Sequence, residues 1–228
     1  MARPPRPAGD KPASRLVERA LKPAVFVAAL LPLALLLWRF RQDDLGANPL
    51  STITNSTGEW TLRFLCITLA VTPLRRLTGW NQLQRVRRML GLFAFFYACL
   101  HLTTYLWLDK FFAWREILPD VVKRKFITAG FTGWLLMLPL AATSFGAAVR
   151  WLGGKRWQKL HRLAYAAAAA GVVHYFWLVK ADHRLPLTYG AVLAALLALR
   201  LPPVAARLPR LRARFRGPPA PTGVEDTA

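Results

Sequence analysis

Residues 160–182 have the sequence LHRLAYAAAAAGVVHYFWLVKAD, which is apolar over most of its length. A histidine lies near each end of the apolar part, His161 and His174. A helix of about 20 predominantly apolar residues is long enough to cross the hydrocarbon core of a bilayer. The stretch is therefore predicted to be a membrane-spanning helix, and its ionisable side chains are candidates for function.

An earlier stretch, residues 88–109, repeats this layout with the sequence RMLGLFAFFYACLHLTTYLWLD. His101 lies eight residues before Asp109, just as His174 lies eight residues before Asp182. Two apolar helices with a histidine at the same depth predict a haem held between them, because imidazole is a common axial ligand of haem iron. The alternative for a single membrane histidine is a hydrogen bond to a neighbouring helix. The matched depth of two histidines favours ligation.

The composition indicates one membrane domain. The chain has 228 residues, of which 54% are hydrophobic, and its mean hydropathy is positive. Its net charge of +21 comes from short basic clusters between apolar runs, without a nucleic-acid-binding motif, so nucleic acid is not an expected partner. Cys66 and Cys99 lie within apolar runs and have no CxxC spacing, which predicts buried free thiols.

The pattern of apolar runs predicts an all-α membrane protein with six transmembrane helices, with the haem between helices three and five. Residues 1–22 and 202–228 are basic and rich in proline, and both are predicted to be disordered tails. The transmembrane domain is predicted to cover residues 23–201, with spans at 23–38, 60–74, 89–108, 126–142, 160–179 and 185–201.

The distribution of basic residues predicts the orientation of this domain. Six spans place both termini on one side, and that side carries 22 of the 32 Lys and Arg residues. The opposite side carries nine, and Arg63 lies within a span. Because cytoplasmic loops carry an excess of Lys and Arg, both termini are predicted to be cytoplasmic.

The third histidine of the spans, His161, is predicted to lie at the cytoplasmic edge. Its counterpart in depth on the third span is Arg88, so a second haem with two histidine ligands has no second histidine. The 13 residues from His161 to His174 correspond to about 20 Å along a helix, a distance that suits two stacked haems. The same 13 residues rotate the side chains about the helix axis by about 140° relative to each other. The two histidines then face different neighbours, unless the helix is distorted at Gly171. The alternative for His161 is an interfacial residue, and His183 is predicted to be a solvated loop residue.

Arginines of the basic loop before the third span could bind the propionates of a haem or the phosphate of a flavin. Ordinary anchoring at the cytoplasmic face is the alternative for each of them. Arg87 and Arg88 are the strongest candidates because they adjoin the helix that carries His101. No phosphate-binding glycine loop and no nicotinamide fingerprint is present, so the chain is not expected to take hydride from NADH by itself.

The segments RRMLGLFAFFYACLHLTTYLWLD (87–109) and WQKLHRLAYAAAAAGVVHYFW (157–177) resemble the MsrQ family, also called YedZ. These proteins are haem-binding membrane subunits of bacterial periplasmic methionine-sulfoxide reductase systems and belong to the ferric-reductase-like transmembrane group. The resemblance covers about residues 20 to 205. His101, His161 and His174 match the three motif histidines of the family.

The resemblance implies a six-helix protein of the bacterial inner membrane that binds b-type haem and FMN. It also implies that the protein takes electrons from the quinone pool and passes them to MsrP, a soluble periplasmic molybdopterin enzyme that reduces methionine sulfoxide in oxidised proteins. Relatives with two haems usually carry two histidines on each of two helices. This chain has one histidine on the third span, so one haem and two haems both stay open.

Two other functions are compatible with the residues alone. One is a small transporter or channel that uses His101 and His174 as a proton or metal relay. The other is a membrane ferric or flavin reductase that acts directly on small substrates. The relay of electrons to a partner that carries out the catalysis agrees best with the haem ligands, and no residue of this chain is predicted to be catalytic.

Overall fold

A computed structural model describes residues 12–206 and 208, with the backbone alone for residues 12–19, and in this part of the chain the regular secondary structure is helical throughout. This confirms the predicted all-α membrane class. Ten α-helices follow one another, and a π-helical segment, Thr104–Asp109, continues α3. The helices are α1 Pro12–Arg41, α2 Pro49–Thr78, α3 Leu83–Thr103, α4 Trp114–Lys123, α5 Lys125–Ala142, α6 Gly146–Leu152, α7 Gly154–Leu160, α8 Leu163–Leu178, α9 Arg184–Ala198 and α10 Pro202–Ala205.

Three helical segments of the described chain are long and apolar enough to cross a membrane: Ala20–Arg41, Leu83–Asp109 and Lys125–Ala142. Helices α8 and α9 are apolar but have 16 and 15 residues, and α2 is long but contains charged residues. In α2 the side chains of Glu59 and Arg63 neutralise each other, with Oε2 and Nη2 2.6 Å apart. The count of six spans stays a prediction.

The first helix begins earlier than the sequence pattern predicts. Residues 12–22, for which the composition predicts a disordered tail, are helical. Residues 1–11 and most of the predicted C-terminal tail lie outside the described residues, and α10 forms the start of that tail.

Two pairs of helices form the centre of the bundle. Helix α2 packs along α3, and α5 packs along α8. Tyr97 of α3 is 1% exposed and joins this centre to α1. Its hydroxyl donates to the carbonyl oxygen of Ala29 at 2.9 Å and accepts from the N–H of Leu33 at 3.1 Å. Both groups lie near Pro32, where a helix loses a backbone hydrogen bond, so Tyr97 supplies partners at this weak point.

Both cysteines are free thiols, as the absence of a CxxC spacing predicts. Cys66 is buried in the core and Cys99 is half-buried. The indole N–H of Trp134 on α5 donates to Sγ of Cys99 at 3.4 Å, so this thiol helps to fix α5 against α3.

Short helix α4 is tied to the end of the π segment by ionic contacts. Nζ of Lys110 lies 3.0 Å from a carboxylate oxygen of Asp120 and 3.3 Å from one of Glu116. Nε of Arg124 contacts Asp120 as well, at 3.1 Å. The hydrogen bond from Lys110 lowers the pKa of Asp120, and the bonds to Asp120 and Glu116 raise the pKa of Lys110. Both groups are therefore charged at neutral pH and hold the loop that follows α3.

Candidate functional site

The structure brings His101 of α3 and His174 of α8 together. Their ring centroids are 5.9 Å apart, and the two rings are nearly perpendicular, at 79°. The residues are far apart in the chain, so this contact arises from the packing of the two helix pairs. The shared depth that the sequence predicts is present, and the ligation of a haem by both rings stays a prediction.

Each of the two imidazoles is oriented by a backbone carbonyl of a neighbouring helix. Nδ1 of His101 lies 2.9 Å from the carbonyl oxygen of Thr54 in α2, and Nδ1 of His174 lies 2.6 Å from that of Phe126 in α5. A carbonyl oxygen only accepts, so both Nδ1 atoms carry the proton and donate it. In a neutral imidazole the other nitrogen, Nε2, then keeps its lone pair. Histidines that bind metals are commonly oriented in this way.

Two glycines make room for the two rings. Gly58 lies one helical turn after Thr54, and Gly130 lies one turn after Phe126. A Cβ atom on Gly130 would lie 2.7 Å from Nδ1 of His174, which is closer than real contacts allow. A Cβ atom on Gly58 would lie 3.0 Å from Nδ1 and Cε1 of His101. The carbonyl and the glycine occur in the same arrangement on α2 and α5, so the site has two similar halves.

The half that holds His101 has an additional link through two threonine hydroxyls. Thr104 is 6% exposed and donates from Oγ1 to the carbonyl oxygen of His101 at 2.7 Å. Thr54, whose carbonyl accepts from His101, donates from Oγ1 to Oγ1 of Thr104 at 3.2 Å. Thr104 is also the first residue of the π segment, and such segments are frequent at functional sites. The widened turn therefore begins where the backbone of His101 is fixed.

The separation of the two rings is compatible with one metal ion that both imidazoles would hold. A metal bonded to imidazole nitrogen lies about 2 Å from it, so two opposed rings have centres on the order of 6 Å apart. The observed separation of ring centroids is 5.9 Å. Among the described residues no group of three or more His, Cys, Asp or Glu side chains could hold a metal ion. A haem iron needs at most two protein ligands, because the porphyrin nitrogens occupy the other four coordination positions.

His161 has different surroundings. It lies between α7 and α8, and its Nε2 is 3.1 Å from Oγ1 of Thr143. The hydroxyl of Thr143 donates its proton to the carbonyl oxygen of Pro139, at 2.6 Å, so Nε2 of His161 is the donor to Thr143. The indole of Trp157 stacks on the imidazole with centroids 3.9 Å apart and donates to the carbonyl oxygen of Thr143. In this arrangement Nδ1 is the free nitrogen of His161, in contrast to the other two histidines.

Arg87 and Arg88 differ in their surroundings, and the proximity of Arg88 to His161 that depth predicts stays a prediction. The side chain of Arg88 is exposed, whereas that of Arg87 is half-buried and lies within electrostatic range of His161. One residue along an α-helix turns the side chain by about 100°, which depth alone does not reveal. Nη1 of Arg87 is 3.4 Å from Oγ1 of Thr72 in α2.

His183, predicted to be a solvated loop residue, is half-buried. Its ring packs on that of Phe176, with centroids 4.7 Å apart. Among the described residues, His183 forms no ring contact and no hydrogen bond with His101 or His174. It therefore lies outside the candidate site.

Residues 57–172 match the family model of the ferric reductase like transmembrane component. The matched segment includes Gly58, His101, Gly130 and His161. The helical bundle with paired histidines therefore defines a membrane protein of the ferric-reductase-like class.

Curated relatives narrow this class. The chain is 57% identical over 183 residues to a protein of Herminiimonas arsenicoxydans, and the aligned region covers 79% of this chain and 84% of the relative. It is 54% identical over 190 residues to a protein of Rhodospirillum rubrum, covering 83% and 91%. It is 50% identical over 210 residues to a protein of Xanthomonas campestris pv. campestris, covering 89% and 95%. Each relative is named protein-methionine-sulfoxide reductase heme-binding subunit MsrQ.

The chain belongs to the MsrQ family. This confirms the resemblance found in the two histidine-bearing segments.

Proposed function

We propose that this chain is the haem-binding membrane subunit of a protein-methionine-sulfoxide reductase system, with His101 and His174 as axial ligands of one b-type haem. The main observation behind this proposal is the pair of imidazoles whose Nδ1 groups donate to the carbonyl oxygens of Thr54 and Phe126. The names of the relatives support haem as the cofactor.

The bound haem supplies one-electron redox chemistry, and the chain supplies the ligands and their surroundings. The two carbonyl hydrogen bonds fix the tautomer and the plane of each ring, and they increase the basicity of the ligating nitrogen. The surrounding apolar helices exclude water, and axial ligands and burial together tune the reduction potential of a haem. His101 and His174 therefore act by binding and orienting, and no proton transfer is assigned to them.

We further propose that electrons come from quinol and pass to a periplasmic MsrP partner that reduces methionine sulfoxide. A lipid-soluble donor agrees with the lack of a nicotinamide fingerprint in the sequence. FMN, which the MsrQ resemblance implies, is included in the proposal as a second cofactor. His161 is proposed to serve a separate cofactor site at the inner face, and its proximity to Arg87 supports this.

The proposed orientation places the protein in the bacterial inner membrane with both termini in the cytoplasm. Alkaline phosphatase fused after Asp182 is expected to be active, because its disulfides form in the oxidising periplasm. The same enzyme fused after Gly153 is expected to be inactive, since the basic loop there stays in the cytoplasm. Fluorescence of a green fluorescent protein fused at Gly153 is the matching positive control, and phosphatase activity at Gly153 would contradict the orientation.

The relay is tested by reconstitution of the purified protein in liposomes. Reduced quinone is expected to reduce the haem, and addition of purified MsrP with methionine sulfoxide is expected to oxidise it again. The absorption of the haem reports both steps, and omission of MsrP is the control for the second. Haem that stays reduced with the complete system would reject the partner. Haem that quinol never reduces, although dithionite does, would reject the donor.

A further inference from the structure

Four arginines from three segments form a cluster at one end of the bundle, here called the inner arginine cluster: Arg75, Arg76, Arg87 and Arg200. Arg75 and Arg76 belong to the last turns of α2, Arg87 to the first turns of α3, and Arg200 follows α9. Arg87 lies within electrostatic range of both Arg75 and Arg200. The cluster therefore brings like charges together from distant parts of the chain.

Arg200 is directed into the bundle and is held at a defined position. Its Nη2 donates to the carbonyl oxygen of Leu69 in α2 at 2.5 Å, and its Nη1 donates to the hydroxyl of Tyr165 in α8 at 2.9 Å. Its guanidinium carbon also lies 5.2 Å from the centre of the Tyr165 ring. A side chain with these contacts is not one that extends freely into a solvated or lipid-headgroup region.

Three donors of the cluster are buried without a hydrogen-bond partner. They are Nε of Arg75, Nη1 of Arg76 and Nε of Arg200. A guanidinium has five N–H donors and no acceptor, so only an acceptor can satisfy these groups. Buried polar groups are nearly always satisfied in folded proteins, and several unsatisfied donors in one place indicate a missing acceptor.

No carboxylate whose side chain the structure describes pairs with an arginine of this cluster. The ion pairs of the described residues use Asp44, Glu59, Glu116, Asp120 and Asp182, and none of these pairs includes an arginine of the cluster. The remaining acids with described side chains, Asp43 and Asp109, follow the ends of α1 and α3 that lie away from the cluster. Several positive charges without a counter-charge among the described side chains attract an anion strongly near a membrane, because a low dielectric strengthens their field.

Ordinary anchoring of the cytoplasmic face does not explain this arrangement. Arginines that anchor a membrane protein extend their charge to the interface, as the exposed side chain of Arg88 can do. The unpartnered donors of the cluster are instead shielded from solvent. A ligand group that reaches between the helices would supply the acceptors that these donors lack.

We propose that the inner arginine cluster, together with Tyr165, is the binding site for the oxyanion of a ligand at the inner face. The group is a carboxylate or a phosphate, both of which match the planar donor fork of arginine. A haem bound near His161 would supply carboxylates, and a flavin mononucleotide would supply a phosphate. Arg200 contributes an unpartnered Nε donor, and Arg87 contributes a positive charge within electrostatic range of Arg200. The identity of the ligand as a cofactor rests on the proposed function, whereas the anion site does not.

The test compares the double variant Arg87→Gln/Arg200→Gln with the wild type and with Arg156→Gln, which removes an exposed arginine of α7. Haem per chain is measured on purified protein by the pyridine haemochrome method. Binding of FMN is measured by fluorescence titration, with riboflavin as the ligand that lacks the phosphate. The double variant is expected either to bind FMN about tenfold or more weakly with riboflavin unaffected, or to lose one haem equivalent. The first result identifies a phosphate and the second identifies the propionates.

Retention of the absorption band of the haem at His101 and His174 shows that the double variant is folded. If it does not fold, the single variants Arg87→Lys and Arg200→Lys replace it, because they keep the charge and lose the fork. They are then expected to weaken the same ligand to a smaller extent. Unchanged FMN affinity and unchanged haem per chain in all cluster variants would overturn the proposal. A wild-type protein without any haem would overturn the proposed function, while the FMN titration would still decide the anion site.

Discussion

Replacement of His174 by alanine is expected to remove the haem from the purified protein while the chain still inserts in the membrane. The reason is the position of the ring, 5.9 Å from that of His101 and fixed by the carbonyl oxygen of Phe126. Loss of a residue that only orients a metal ligand lowers metal affinity about 10- to 100-fold, so loss of the ligand itself is expected to exceed about 100-fold. His101→Ala is expected to have the same effect. Haem per chain and the Soret band measure both.

His183→Ala is the matched control for this pair, because its ring packs on Phe176 and lies outside the site. It is expected to keep its full haem content. Full haem retention in both His101→Ala and His174→Ala would show that neither residue is an essential ligand. A wild-type protein without a Soret band would instead favour a histidine relay of a transporter.

Gly130→Ala is expected to weaken haem binding although alanine is the better helix former. The added Cβ would lie 2.7 Å from Nδ1 of His174, which the hydrogen bond to Phe126 holds in place. Either the ring moves or α5 moves away from α8. Overpacking of this kind costs about 1–3 kcal/mol. If that cost falls on the bound state, haem affinity decreases by roughly five- to 150-fold.

Substitutions of two other helical glycines serve as comparisons for Gly130→Ala. Gly58→Ala places its Cβ 3.0 Å from His101 and is expected to have a smaller effect of the same kind. Gly91→Ala places its Cβ 3.7 Å from Cγ2 of Thr68, an ordinary contact, and is expected to leave haem binding unchanged. The reduction potential of the residual haem is the second measurement, because a displaced imidazole changes the ligand field. Equal haem affinity in Gly130→Ala and Gly91→Ala would show that the ring does not need the space.

The helical class, the paired histidines and the family could all be predicted from the sequence. Each of these depends on a local property, such as the length of an apolar run, the number of residues between a histidine and an aspartate, or the residues of a motif. When Asp109 and Asp182 are aligned, His101 and His174 fall at the same position of their spans. Helical rise is constant at about 1.5 Å per residue, so equal spacing gives equal depth.

The surroundings of those histidines were decided by the tertiary structure. The carbonyl oxygens that accept from His101 and His174 belong to residues 47 and 48 positions away, and a backbone carbonyl leaves no mark in the sequence. The same holds for Gly58 and Gly130, since a glycine in an apolar helix has many possible reasons. Their role became visible only when the facing rings were in place.

The end of the bundle that carries the arginine cluster shows the same division. Basic loops can be recognised from the sequence, and depth alone pairs His161 with Arg88, but only the structure shows that Arg87 lies within electrostatic range of His161. Arg200 lies at the end of the sixth predicted span, and its hydrogen bond to the carbonyl oxygen of Leu69 spans 131 residues. Sequence periodicity fixes which residues share a helix and a depth. Which helix faces which, and therefore which charges meet, is determined by the packing of side chains between helices that are distant in the chain.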